Sequence, residues 1–153
     1  VADQREAILS RLVTVCGAVS GINAVDRNRL DVGGMLRPAV IILDGAETVG
    51  LQPVADGRGA TISHEQRMEL RPTIIIAVRG DGGGEAGSLL TLYRNRVLAA
   101  ILTDATLIGS VSRNGGIRYE GCVVVEPDAE AKEYRMDLQV VFVYRFTLAD
   151  LGP

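Results

Sequence analysis

Tryptophan is missing from this sequence, lysine and histidine occur once each, at Lys132 and His64, and cysteine twice, at Cys16 and Cys122. Each scarcity removes a class of chemistry. One histidine excludes multi-histidine zinc sites, and a histidine-dependent nucleophile would have to use His64 without any recognisable nucleophile elbow; a surface histidine beside Glu65 is the plainer reading. Two distant cysteines make neither a disulfide framework nor a metal cluster, so both read as small buried hydrophobes. A single lysine far from the glycine-rich stretch defeats a Walker-type phosphate loop, and lysine stripes that grip nucleic acid are lacking. No run approaches the roughly 18 apolar residues that span a bilayer. The first residues carry Asp3, Arg5 and Glu6 rather than an apolar signal core.

What is present fits a soluble domain. Apolar residues make up 47% of the chain and charged residues 23%, which argues against disorder. With 153 residues one domain, 1–153, buries enough surface to hold a core without staples. Charge is mixed along the chain at a net −3. The cations are nearly all arginine, which forms forked pairs with carboxylates and favours protein interfaces.

Asp3 and Glu6 have capping-box spacing ahead of the stripe Ile8, Leu12 and Val15, flanked by Leu9 and Cys16, so a helix starts the chain and ends at Gly17–Gly21. A strand over Ile22–Arg29, a turn at Asp31–Gly34 and a central strand at Ala39–Leu43 follow. Glycine and proline interrupt Asp44–Gly59, which reads as a long exposed loop. Arg67–Arg79 alternates strictly, with Met68, Leu70, Pro72, Ile74, Ile76 and Val78 on one face, and Pro72 places an edge or bulge there. A second helix runs from Ser88 to about Asp104 with Leu89, Leu90, Tyr93, Val97, Ala100 and Ile101 toward the core. A strand pair closes the chain, Ile117–Glu126 and Tyr134–Thr147. The expected fold is α+β: an antiparallel or mixed sheet with two helices packed on one face, long hairpin strands and an extended loop. Strands of thirteen or fourteen residues exceed the usual ~17–20 Å and should overhang the core.

Three constellations were weighed for chemistry. Gly82-Gly83-Gly84-Glu85-Ala86-Gly87 satisfies GxGxxG after a strand and before a helix, but Asp81 and Glu85 place negative charge where a pyrophosphate would sit. The acid some twenty residues on, Asp104, ends a helix instead of a strand. A linker is the better reading of Gly80–Gly87, with a small nucleotide-binding domain as the distant alternative. Asp26, Asp31, Asp44 and Glu47 have no calcium-loop spacing and read as solvated turns. Tyr134, Phe142, Tyr144 and Phe146 share one strand face and read as core rather than as stacking platforms. No catalytic, cofactor-binding or metal residue is assigned, and the chain reads as a non-enzyme.

Leu92, Leu98 and Leu102 fall outside the second helix's core stripe, and Val141 and Val143 make the polar face of the last strand apolar at its middle. Surplus apolar surface of this kind needs a cover, so these five residues are the candidate subunit contacts.

The element order resembles the tail terminator (tail completion) family of long-tailed bacteriophages. The resemblance rests on the capped helix Asp3–Cys16, the short strand Ala24–Arg29, the entry Arg37-Pro38-Ala39-Val40-Ile41-Ile42, and a long loop. It continues through the Arg71–Arg79 strand, the helix Leu89–Leu102 with Thr103-Asp104, and the closing strands with Val140–Phe146. It implies a homo-oligomeric, hexameric ring, a structural virion protein at the neck that is assembled in the host cytoplasm. Such a ring caps the tail tube protein, stops its polymerisation and offers a docking surface to the head-tail connector. DNA passes through its lumen without specific binding, and no cofactor or membrane takes part. Another neck, head-tail joining or minor tail component is the alternative within the same class.

Overall fold

Asp3 starts the first helix by accepting the backbone N–H of Glu6 at 3.1 Å, which satisfies one of the amides left free at a helix start. Only this half of the capping box forms. The Glu6 carboxylate turns to Ser10 and to the Arg27 guanidinium, because paired charged bonds outweigh one amide. The structure, a computed structural model, describes residues 3–51, 66–80, 82–112, 116–128, 130 and 132–146.

Within these, α1 (Gln4–Gly17) leads to β1 (Ala24–Arg27), β2 (Ala39–Leu51) and β3 (Gln66–Arg79). Then come α2 (Gly83–Thr103), α3 (Ala105–Ser110), β4 (Ile117–Asp128) and β5 (Glu133–Phe146). The five strands form one sheet in the order β1-β2-β3-β5-β4. β1 and β2 pair in parallel and every other neighbouring pair is antiparallel, so the sheet is mixed and the fold is α+β.

Period-two alternation sorts the faces. Val40, Ile42, Leu70, Ile74, Ile76, Leu138, Val140 and Phe142 point to one side, where Ile8, Leu9, Leu12 and Cys16 of α1 and Leu90, Tyr93, Val97 and Ile101 of α2 cover them. Each fully buried leucine or isoleucine there contributes about 1.5–3 kcal/mol. The opposite side holds a smaller cluster, in which Met35 from the β1–β2 connection packs on Ala39, Ile41 and Ile75.

Four expectations are corrected. The interrupted stretch after Asp44 is strand as far as Leu51; a bulge absorbs Asp44 and Gly45 and pairing with β3 resumes at Ala46↔Arg71. The remainder of the expected loop, residues 52–65, lies outside the described residues, and His64 with it. Gly80–Gly87 is not a linker, because helix begins at Gly83: Ala86 is fully buried, and that anchorage offsets the conformational cost of the glycines. A third helix, α3, follows because the Asp104 carboxylate accepts from the Leu107 amide at 3.0 Å while Leu107 is buried. Finally, Cys16 is buried but Cys122 only partly so, since β4 is an edge strand.

Pro72 sits at an irregularity, as a residue without an N–H must. Two ladders shift at the same height. Opposite Pro72, β2 shifts register between Leu43 and Ala46. On the other flank, β3 and β5 pair up to Leu70↔Phe142 and again from Thr73↔Gln139, leaving Arg71 and Pro72 between. At the same level β4 shifts between Tyr119 and Gly121, opposite Val140 and Gln139. β2 and β4 thus each carry one extra residue at this level, while β3 and β5 keep one register through it, and beyond it Met68, Leu70, Phe142 and Tyr144 stay buried in the main core.

Candidate assembly surface

Arginine pairs tie this frame together. Arg27 of β1 donates to Asp44 at 2.7 and 2.9 Å and to Glu6 at 2.7 and 3.0 Å, joining sheet and first helix. The guanidinium holds the Glu6 carboxyl down at about 2 and the Asp44 carboxyl below its ordinary range. Arg5 adds contacts to Asp44 and Glu47, and Glu47 accepts the Tyr144 hydroxyl. Burial, followed by that carboxylate, pushes the Tyr144 phenol up. Arg11 grips both oxygens of Asp104 at 2.7 and 3.0 Å, and Arg37 does the same to Glu133 at 2.8 and 3.0 Å.

The acids weighed as a metal site are engaged in this way. Asp44 and Glu47 belong to the arginine network rather than to solvated turns. Asp26 pairs with Arg29, and Asp31 accepts the Gly33 amide. Among the described residues no group of three or more His, Cys, Asp or Glu side chains is placed to hold a metal ion, and no helix is long and apolar enough to cross a membrane. Gly82 caps α2 in an extended conformation and Glu85 occupies the first turn, so an acid stands where a nucleotide phosphate would have to approach. Phe142 and Tyr144 are buried, which makes the shared aromatic face core.

The five candidate contacts separate. Leu92 and Leu102 lie on the outward face of α2, 41% and 42% exposed, at a spacing that puts Asn95 and Ala99 between them on the same face. Leu98 is half-buried and packs against the core. Val141 and Val143 have no free surface, at 0% and 1% exposure. They lie on the sheet face opposite the helices, with Arg118 and Glu69 as their cross-strand partners. Around them Arg71 pairs with Glu69 and Glu120, and Arg118 with Glu69. A contact role is thus open to Leu92 and Leu102 and closed to the two valines unless the chain rearranges.

Exposed apolar residues that periodicity alone did not single out lie at the margins of the sheet. Leu30 and Leu36 stand out beside β1, Val49 projects from the far end of β2, Ile108 from α3, and Val123 and Val124 from β4. The available signal was the run Val123-Val124-Val125: consecutive strand residues point to opposite faces, so both faces are apolar there.

No family model and no curated protein matches the chain. Among solved structures, a chain from the virion of a native gene transfer agent particle aligns over 93% of this chain and 94% of its own length. The identity is 17% and the TM-score 0.44, a degree of likeness that carries no functional argument.

Proposed function

We propose that the chain is a non-enzymatic structural virion protein of the tail terminator kind, a ring subunit that caps the tail tube of a long-tailed phage. In this role it stops tube growth and presents the surface on which the head connector docks. The observation that carries the reading is the overlong sheet. Beyond the level of Pro72, Ala46–Val49 of β2 are exposed, and the outward face of α2 adds Leu92 and Leu102. A subunit in a closed ring uses surface of this sort against its neighbours. The family resemblance of the element order supports the specific role, and the mixed charge suits a lumen that passes DNA without holding it.

The test is twofold. Light scattering on the purified chain should give a six-subunit mass, and added chain should arrest polymerisation of the tube protein at defined length. A chain that stays monomeric at high concentration, alone and with tube protein, refutes the reading. Replacing the outward-facing Leu92 and Leu102 by Glu should weaken assembly; an intact ring after that change removes α2 from the interface. A neck connector of similar shape would instead bind the portal complex and leave tube growth unaffected.

A further inference from the structure

The two margins of the sheet match each other. β1 and β4 are its terminal strands, and among the described residues each is paired on one side only. Following the registers across, Ala24 is level with Ala39, Ala77, Arg135 and Val125, and Val25 with Val40, Ile76, Met136 and Val124. Likewise Asp26 is level with Val123, and Arg27 with Cys122. The four residues of β1 thus stand at the same height as Cys122–Val125 on the far edge.

Direction matches too. β4 is antiparallel to β5, β5 to β3 and β3 to β2, while β1 is parallel to β2, so β4 runs opposite to β1. A copy set alongside in the same orientation, without axial offset, would therefore bring its β1 against β4 as an antiparallel neighbour, continuing the ladder. Apolar surface borders both margins: Leu30 is 100% exposed beside β1, and Val123 and Val124 are 65% and 56% exposed on β4. Charges border them as well, with Arg29 and Asp31 following β1 and Glu120 and Arg118 preceding Cys122 on β4.

We infer that the β4 edge of one copy pairs with the β1 edge of the next, head to tail, so that the sheet runs on from subunit to subunit. The inference rests on the self-assembly proposed above and names its surface. Backbone hydrogen bonds fix the alignment, while the apolar residues bordering each margin, Leu30 and Leu36 on one and Val123 and Val124 on the other, supply burial against the neighbour.

Two variants test it. Val123→Lys with Val124→Lys blocks one edge, and Leu30→Asp with Leu36→Asp blocks the other; all four side chains are exposed, and circular dichroism and melting curves check that both variants fold like the parent. Each variant alone should lose self-association by more than about a hundredfold and sediment as a monomer. Mixed in equal amounts they should form a dimer, because one unblocked β4 edge then meets one unblocked β1 edge. If either variant keeps the parental mass, or if the mixture stays monomeric, the edge assignment is overturned while an oligomer of the parent leaves the ring reading standing. Self-association of the β1-side variant alone would mean a symmetric β4–β4 contact and also overturn it. A monomeric parent at high concentration removes the ring reading itself.

Discussion

Replacing Gly45 with alanine should be among the most damaging single-methyl changes in the sheet. Gly45 has φ +70, and a Cβ built there would lie 1.9 Å from the Arg71 carbonyl oxygen and 2.7 Å from its carbon. Both obstacles are backbone of the central strand, so no side chain can rotate away. The left-handed conformation costs an L-residue roughly 1–2 kcal/mol, and relieving the clash opens one or two ladder hydrogen bonds at about 1 kcal/mol each. The sum is about 3 kcal/mol, or a melting point lower by roughly 6–12 °C at the 2–4 °C per kcal/mol typical of this size. Two other glycines separate the contributions. Gly121 has φ +117 but nothing near its Cβ position, so Gly121→Ala should cost only the conformational part, about 1–2 kcal/mol. Gly87 is helical, and its Cβ position is also open; Gly87→Ala should stabilise by about 0.5–1 kcal/mol. Thermal melts of the three variants at one protein concentration, low enough to avoid assembly, check the order. A Gly45→Ala protein melting within a degree of the parent, or above Gly121→Ala, would refute the argument from the close approach at Arg71.

Acid should weaken the fold through Glu6 and Asp44. Their folded carboxyls titrate below their ordinary values, Glu6 at about 2 against 4.5, so the stability they contribute is present above the unfolded value and is lost as pH falls from about 4.5 toward 2. Urea midpoints measured down that range should drop less in Arg27→Met than in the parent, and equal slopes would sink the attribution. Asp104→Ala should cost about 1 kcal/mol through the lost cap on Leu107, with Asp104→Asn milder because an acceptor remains; urea titration reads both. Thiol labelling in the native state should reach Cys122 well before Cys16, whose thiol burial pushes up to about 12. Peptide mapping after brief alkylation would show the order, and equal labelling would contradict it.

The elements with strict periodicity were legible in the residues. The alternation from Met68 to Val78 and from Tyr134 to Phe146 named two central strands, and Pro72 named the level at which the neighbouring β2 bulges. What was hidden had a common cause, since partners distant in sequence set it. Asp44 and Gly45 look like loop because a bulge uses the same residues as a turn; only Arg71 and Pro72 across the ladder reveal that the strand resumes. Glycine propensity argued against helix at Gly83–Gly87, and tertiary anchorage of Ala86 overrode it. The valines at positions 141 and 143 looked surplus because strand patterning reports which face a residue takes, not what neighbouring strands place around it. Exposure at Val123 and Val124 depended on β4 lying outermost, an order that sequence distance does not encode.

The extra residues at Asp44–Gly45 of β2 and at Glu120 of β4 sit at one height on either side of the central pair, like matched notches in a plate. Bulges bend strands and add twist, so these two concentrate curvature at one height while the central pair β3–β5 runs through it in unbroken register. Adding a residue to β3 or β5, which hold no such notch, would put their shared ladder out of register on one side of the insertion.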